Sequence, residues 1–188
     1  MGQVGSVSDM TSKPNTPPSM DHYYMGIAVA VRERANCRGT RVGALIVKGN
    51  RIVSTGYNGT PSGMVNCLDG GCRRCAAKDY PSGTGYDLCI CVHAEQNALL
   101  AAARFGISVG GSTMYTTSRP CFGCTKEVIQ AQVAEVVYMH EWAHPDERWR
   151  EEYDLLQREI QLRHYPMQDP QLDWAIRRGE HNVLFERG

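Results

Sequence analysis

The sequence predicts a layered α/β domain whose mixed sheet begins with an antiparallel hairpin. Two runs rich in β-branched residues flank the dipeptide Gly49-Asn50, which is typical of two-residue hairpin turns. Further along the chain, strand-like and helix-like segments alternate, as they do where helices connect parallel strands. The length of 188 residues fits one such domain.

The individual elements follow from hydrophobic periodicity and capping signals. A first helix is predicted from Asp21, a candidate N-cap, to about Ala35, and the hairpin strands are predicted at 42–48 and 51–57. The remaining predicted elements are helices at 93–105, 121–131 and 147–158, and strands at 112–117, 134–139 and 159–165. Residues 58–91 form a long loop that contains five cysteines.

Three segments are expected along the chain. Residues 1–20, rich in Ser, Thr, Pro and Gly, predict a flexible tail, residues 21–165 the domain, and residues 166–188 a C-terminal extension. The tail lacks the basic start and apolar run of a targeting sequence, and no stretch approaches the roughly 18 apolar residues of a membrane span. We therefore expect a cytoplasmic protein with no membrane partner.

Cysteine content and charge narrow the class of function. A chain of this size can bury a core without disulfides, so its eight cysteines need another explanation. In a reducing cytosol, clustered cysteines indicate metal ligands or catalytic groups before they indicate disulfides. The 20 basic and 20 acidic side chains balance, which argues against a long nucleic acid as partner and leaves room for a small anionic ligand.

Two short motifs predict a catalytic zinc site. Cys121 and Cys124 lie at a predicted helix start, where the positive end of the helix dipole favours thiolates. With His93 they form a Cys₂His set whose fourth position is open, as in catalytic zinc sites. Glu95, two residues from His93, is the candidate general acid/base. Each motif alone has an ordinary alternative, a chance His–Glu pair or a redox C-x-x-C, but together with Pro120 they match the signature of zinc nucleobase deaminases.

The chain resembles the cytidine deaminase superfamily and, within it, the microbial, fungal and phage deoxycytidylate deaminases that carry a second zinc. Besides the zinc motifs, the resemblance lies in residues 41–47 (RVGALIV), 56–63 (GYNGTPSG), 66–67 (NC), 70–72 (GGC) and 93–99 (HAEQNAL). It covers about residues 22–142 and implies a three-layer α/β/α sandwich around a mixed five-stranded sheet. It also implies hydrolysis of dCMP to dUMP and ammonia for thymidylate synthesis, regulation by dCTP and dTTP, Mg²⁺ accompanying dCTP, and a homo-oligomer, commonly a hexamer.

The resemblance also implies contacts with the substrate. Asn58 resembles an asparagine that contacts the sugar or phosphate, although Asn-Gly is also ordinary turn chemistry. The backbone amide of Ala94 resembles the contact to the base carbonyl. Arg119 departs from relatives that have a small or uncharged residue there, and it could reach a substrate phosphate or pair with a nearby acid.

Six cysteines remain for a structural zinc, which needs four ligands. The resemblance favours Cys37, Cys67, Cys72 and Cys89, with Cys75 and Cys91 as substitutes. Spacing supports a metal without deciding its ligands, because Cys72-x-x-Cys75 has zinc-knuckle spacing and Cys89-x-Cys91 places two thiols on one side of an extended segment. The alternative is a set of independent buried or reactive thiols.

The leading hypothesis is therefore a zinc-dependent dCMP deaminase. A related enzyme could act on a 5-modified dCMP, on cytidine or guanine, or on an adenosine in tRNA, although zero net charge disfavours tRNA. A zinc-stabilised binding module would explain the cysteines but gives Glu95 no role beside an open metal position. A thiol oxidoreductase fits the sequence least well.

Overall fold

A computed structural model describes residues 16–77, 80 and 84–176. Its elements are α1 (Met20–Arg32), β1 (Gly43–Lys48), β2 (Arg51–Tyr57), α2 (Arg73–Ala76), α3 (Ala94–Arg104), β3 (Thr113–Ser118), α4 (Phe122–Gln130), β4 (Glu135–His140), α5 (Glu147–Gln157), β5 (Gln161–His164) and α6 (Leu172–Ala175). All the predicted strands and long helices are confirmed, with ends that differ from the predicted ones by at most three residues. The short helices α2 and α6 and two 3₁₀ turns, Cys67–Asp69 and Tyr86–Leu88, were not predicted.

The sheet is mixed and five-stranded, in the order β2-β1-β3-β4-β5. Strand β1 is antiparallel to both β2 and β3, whereas β3, β4 and β5 run parallel to one another. The hairpin turn has positive φ angles of 55° at Gly49 and 59° at Asn50, which is the backbone that an Asn and Gly pair favours. The predicted mixed sheet opened by a hairpin is thereby confirmed.

Side chains alternate between the two faces of the sheet and build two cores. On one face, Leu45 of β1 packs with Tyr24, Met25 and Ala28 of α1. On the other face, the neighbouring residues of β1, Ala44 and Ile46, pack with Ala94 and Ala98 of α3 and with Val128 of α4. The period-two alternation of a strand thus gives a helix layer on each side of the sheet.

Helix α1 begins one residue earlier than predicted, and its N-cap is Ser19. The backbone amide of His22 donates to Ser19 Oγ at 3.2 Å, so the prediction of Asp21 as the cap is corrected. Asp21 lies in the first turn, and its carboxylate instead accepts hydrogen bonds from Arg163 and from the hydroxyl of Tyr115, both at distances of 2.7 to 2.8 Å. The side chain of Asp21 therefore bonds to residues of β3 and β5 and does not cap α1.

The described part of the predicted C-terminal extension packs against the domain. Asp169 forms an ion pair with Arg32 of α1, and Arg41 donates backbone and side-chain hydrogen bonds to residues of α6. The predicted flexible tail falls outside the described residues for positions 1–15, as does the end of the extension from 177. Within the described residues, no helix has both the length and the apolar character needed to cross a membrane.

Candidate active site

The predicted zinc ligands lie at the starts of two helices. His93 immediately precedes α3, Cys121 immediately precedes α4, and Cys124 lies in the first turn of α4. The Nδ1 atom of His93 is 3.4 Å from the Sγ atoms of both cysteines. His93 and Cys121 are about 30 residues apart in sequence. Strand β3 lies between α3 and α4 in the chain and brings the starts of the two helices close together.

The three donor atoms fit a zinc ion. All lie within 4.8 Å of one another. Metal distances of about 2.3 Å to sulfur and about 2.0 Å to nitrogen place tetrahedral ligand atoms roughly 3.6 Å apart. The observed 3.4 Å between nitrogen and sulfur is close to that edge. The donor set is thus already close to the shape that zinc requires.

The electrostatics of the site favours the thiolate form of Cys121, whereas hydrogen bonding to Cys121 and burial raise the pKa of the Cys124 thiol. Hydrogen bonds from Cys124 and then from His93 hold the pKa of the Cys121 thiol well below its usual range. Burial disfavours a charged imidazole, yet the Cys121 thiolate beside it raises the pKa of His93 to about 9. Zinc, when bound, would therefore displace a proton from His93, because metal ligands must be deprotonated.

Glu95 lies in the first turn of α3 and is 4% exposed. Burial raises the pKa of this carboxyl above its usual value. The hydroxyl of Thr116, which is fully buried on β3, lies 3.3 Å from Glu95 Oε1 and 3.2 Å from the carbonyl oxygen of Ser118. A carboxyl group with a raised pKa next to a metal site can hold a proton and release it.

Several supporting residues were not found from the sequence. The side chain of Gln96 accepts a hydrogen bond from the backbone amide of His93 at 2.9 Å, and the ring of Tyr86 meets the His93 ring edge-on at 5.2 Å. The hydroxyl of Tyr153 donates to the carbonyl oxygen of Pro120. The capping role of Gln96 had a signal in the sequence, since Gln is favoured three residues after a helix cap. Tyr86 and Tyr153 reach the site through tertiary folding and had no such signal.

The predicted substrate contacts lie in different surroundings. Ala94 is fully buried at the start of α3. The side chain of Asn58 is buried and holds the chain before β1, because its Oδ1 accepts from the backbone amide of Val42 and its Nδ2 donates to the carbonyl oxygen of Thr40, both at 2.8 Å. Asn58 therefore has a structural role in this conformation, and its contact with substrate stays a prediction.

Arg119 pairs with a nearby acid, the second of its two predicted alternatives. Its guanidinium donates to Glu141 at 3.3 Å and to the side chain of Gln157, and it lies over the rings of Tyr138 and Tyr153. The Nε atom has no hydrogen-bond partner among the described residues. Its contact with a phosphate likewise stays a prediction.

Comparison with known proteins decides the family. A family model described as the cytidine and deoxycytidylate deaminase zinc-binding region matches residues 18–140. This chain belongs to that family. The deaminase-family match includes the converging ligands His93, Cys121 and Cys124 and also Glu95, whose carboxyl group interacts with His93 and Cys124.

Individual relatives agree with this assignment. The deoxycytidylate deaminase of Mycobacterium phage D29 is 39% identical over 128 residues, which are 66% of this chain and 97% of that protein. The Schizosaccharomyces pombe deoxycytidylate deaminase is 41% identical over 131 residues, 70% of this chain but 40% of the relative, and the Saccharomyces cerevisiae protein is matched over 43% of its length. The chain thus spans about two fifths of the length of these yeast relatives.

A solved structure confirms the fold of this deaminase-family chain. The dCMP deaminase of cyanophage S-TIM5, solved in complex with dCMP and dUMP, superimposes with a TM-score of 0.61 at 32% identity. The match covers 80% of this chain and 100% of the phage chain. The mixed sheet with helices on both faces is therefore the cytidine deaminase-like sandwich that the resemblance implied.

The other six cysteines of the deaminase-family chain lie together. Five belong to the long loop of residues 58–91, and the sixth is Cys37. Among the described residues they form two groups that could hold a metal: Cys37, Cys67, Cys75 and Cys91, and Cys72, Cys75, Cys89 and Cys91. The predicted ligands Cys37, Cys67, Cys72 and Cys89 take two members from each group and so are not one compact set. Cys75 and Cys91, predicted as substitutes, belong to both groups. Sequence spacing could not show this, because the fold of the loop decides which thiols are central.

Proposed function

We propose that this chain is a zinc-dependent deaminase that converts dCMP and water to dUMP and ammonia. The proposal is carried by one observation: His93, Cys121 and Cys124 converge next to the buried Glu95 in the family's zinc-binding region. The phage relative solved with dCMP and dUMP supports this choice of nucleotide. The fungal and phage relatives, which carry the name deoxycytidylate deaminase, support the same reaction class.

The residues of the chain account for the proton movements. Zinc held by His93, Cys121 and Cys124 would supply activation of water at neutral pH. Glu95 receives a proton from the attacking water and delivers it to the ring nitrogen next to the carbon under attack. It then carries a second proton to the amine, which leaves as ammonia while the ring carbon keeps the oxygen. Burial suits Glu95 to this role, because it raises the carboxyl pKa above its usual value and so favours a group that can hold a proton.

Substitution of Glu95 tests the mechanism. We expect Glu95→Gln to keep its zinc and its unfolding free energy while turnover of dCMP falls by about 10²- to 10⁴-fold, the usual contribution of a general acid/base. Glu33→Gln, an exposed carboxylate at the end of α1, is the matched control and should keep full turnover. Near-normal turnover of Glu95→Gln with zinc bound would refute the mechanism.

A substrate panel separates the remaining deaminase reactions. Ammonia release is measured with dCMP, its 5-methyl and 5-hydroxymethyl derivatives, CMP, deoxycytidine and dCTP. We expect dCMP to be the best substrate. Preference for deoxycytidine would refute a nucleotide substrate, preference for a 5-modified dCMP would identify that alternative, and no turnover in the zinc-loaded protein would favour a binding module.

We also propose that Asn58, the amide of Ala94 and Arg119 contact the substrate. For Arg119 the test is the ratio of kcat/KM for dCMP to that for deoxycytidine, which removes effects common to both substrates. Contact with the phosphate predicts that Arg119→Gln lowers this ratio by about tenfold or more, as expected for a lost charge-assisted hydrogen bond. An unchanged ratio would leave Arg119 with only its structural contacts to Glu141 and Gln157.

Assembly and regulation complete the proposal. We propose that the chain forms a homo-oligomer, a hexamer by resemblance, that dCTP with Mg²⁺ and dTTP regulate its activity, and that it acts in the cytoplasm. Light scattering of the purified chain tests the hexamer. Rate measurements with and without dCTP, Mg²⁺ and dTTP test regulation, and cell fractionation tests the compartment.

A further inference from the structure

The cysteine cluster is a core built from thiols alone. Among the described residues, the buried members of this cluster and the partly buried side chain packed against it are all cysteines. The surrounding backbone supplies only short elements, the turn at Cys67–Asp69, the four residues of α2 and the turn at Tyr86–Leu88. Thiols alone bury too little apolar surface to fix such a loop, so the cluster needs another source of stability.

Distances within the cluster match metal coordination. The Sγ atoms of Cys37 and Cys75 are 3.7 Å apart, and those of Cys75 and Cys91 are 4.0 Å apart. On the other side, Cys89 lies 3.5 Å from Cys75 and 3.9 Å from Cys72. Sulfur atoms of a tetrahedral zinc site are roughly 3.8 Å apart, because each is about 2.3 Å from the ion. None of the eight cysteines forms a disulfide, so these sulfur–sulfur contacts are contacts between thiols.

We propose that the six cysteines hold two zinc ions as a thiolate-bridged pair. Cys75 and Cys91 bridge the two ions, because each belongs to both tetrahedral groups. Cys37 and Cys67 complete the coordination of one ion, and Cys72 and Cys89 complete that of the other. With the catalytic zinc, the chain would hold three ions.

A single structural zinc explains the geometry less well. An ion bound by Cys37, Cys67, Cys75 and Cys91 leaves the buried Cys72 and the partly buried Cys89 without a metal, although Cys89 lies 3.5 Å from a liganded sulfur. An ion bound by Cys72, Cys75, Cys89 and Cys91 leaves Cys37 and Cys67 without a metal. Two ions use every thiol of the cluster.

Charge also favours the pair. Six thiolates with two Zn²⁺ carry a net charge of −2, the same as four thiolates with one ion, so the charge per metal is halved. Backbone amides offset part of it, since the amide of Arg38 donates to Cys67 Sγ and that of Gly39 donates to Cys37 Sγ, both at 3.3 Å. Buried negative charge is tolerated where such donors stabilise it.

Metal content tests the pair directly. We expect three zinc atoms per chain in the purified full-length protein, measured by elemental analysis without added metal. Cys121→Ser should reduce this to two, because only the catalytic ion is lost. Cys67→Ser should also reduce it to two, whereas Cys75→Ser should leave one, since both cluster ions lose a bridging ligand. Leu68→Ser, an exposed neighbour of Cys67, is the control and should keep three.

X-ray absorption of the unmodified protein tests the bridge even where a variant does not fold. Two ions that share two sulfurs at about 2.3 Å, with those sulfurs about 3.5 to 3.8 Å apart, should give a zinc–zinc vector of about 2.6 to 3.0 Å. Two zinc atoms per chain without this vector would overturn the proposal. So would iron in the cluster, or a loss of free thiols in the denatured, unreduced protein, which would show disulfides instead.

Discussion

Asp169 binds Arg32 through both carboxylate oxygens, at 2.7 Å each, and both side chains are almost completely buried. The same carboxylate contacts Nε2 of His140 at 2.8 Å. The pair joins α1 to the segment that follows β5, across 137 residues of sequence. The described part of the C-terminal extension is thus fastened to the domain by a charge pair that lies out of reach of solvent.

Asp169→Asn should destabilise the fold strongly. The amide cannot serve as a charged acceptor for Arg32, which would remain buried without its counter-charge, and breaking such a pair typically costs about 3 kcal/mol or more. Urea unfolding measures the change. Asp146→Asn is the control, because Asp146 forms an exposed ion pair with Arg148. The free energy of unfolding of this variant should equal that of the wild type.

The same pair predicts how stability depends on pH. Burial alone would raise the pKa of Asp169, but hydrogen bonds from Arg32 and His140 outweigh it and hold this pKa well below the usual range. A carboxyl group with a depressed folded-state pKa contributes its full stabilisation above its unfolded pKa, so this contribution should be lost progressively below about pH 5. The difference in unfolding free energy between wild type and Asp169→Asn should therefore shrink on acidification. A difference in unfolding free energy that stays constant with pH would contradict the prediction. Release of zinc on acidification should affect wild type and variant alike, so it cancels in this difference.

Gly56→Ala should disrupt the contact between β2 and α3. A Cβ atom at Gly56 would lie 2.2 Å from the carbonyl oxygen of Ala94 and 2.4 Å from the backbone nitrogen of Ala98. The backbone of a packed helix cannot move away without loss of other contacts. We therefore expect the free energy of unfolding to fall by about 3 kcal/mol and the catalytic zinc to bind more weakly. Gly26→Ala in α1 meets no atom within 4 Å and should instead stabilise the protein by about 0.5 to 1 kcal/mol.

Thr116→Val should affect turnover through Glu95. The Thr116 hydroxyl can donate to the ionised carboxylate, and when Glu95 is protonated it can accept from Glu95 and donate to the Ser118 carbonyl instead. Valine removes this partner while filling the same space, so we expect kcat to fall about tenfold with little change in KM or zinc content, and the pH profile of kcat to shift. Thr116→Ser should restore both kcat and profile. A change in stability alone would show a purely structural role.

Local patterns were sufficient to predict most of the fold. The Gly49-Asn50 turn and the alternating strands depend on neighbours in sequence, and the catalytic ligands follow from fixed spacings at two helix starts. Asp21 shows the limit of this reasoning, because its ion pair with Arg163 arises only when β5 packs beside β4. The short helices α2 and α6 also lacked a signal, since a four-residue helix has no periodicity to detect.

The cysteine cluster shows the same limit more sharply. Spacing indicated a metal, but Cys75 and Cys91 differ from their neighbours only in where the loop places them. Asn58 was predicted by resemblance and Arg119 from its position before Pro120, while their partners Val42 and Glu141 depend on the folded arrangement. Residue type therefore predicted the chemistry, and tertiary structure selected among residues of the same type.

The cysteine cluster and the catalytic site are adjacent in sequence, which affects the order in which their ligands are synthesised. Cys91 precedes His93 by two residues, and Cys121 follows Cys91 by 30 residues. Because ribosomes add about 5 to 20 residues per second, all six cluster thiols leave the ribosome roughly 2 to 6 seconds before the first catalytic thiol. Ions captured by the cluster would thus fix the start of α3 on the nascent chain, and in a zinc-starved cell the catalytic position would be the last of the three to fill.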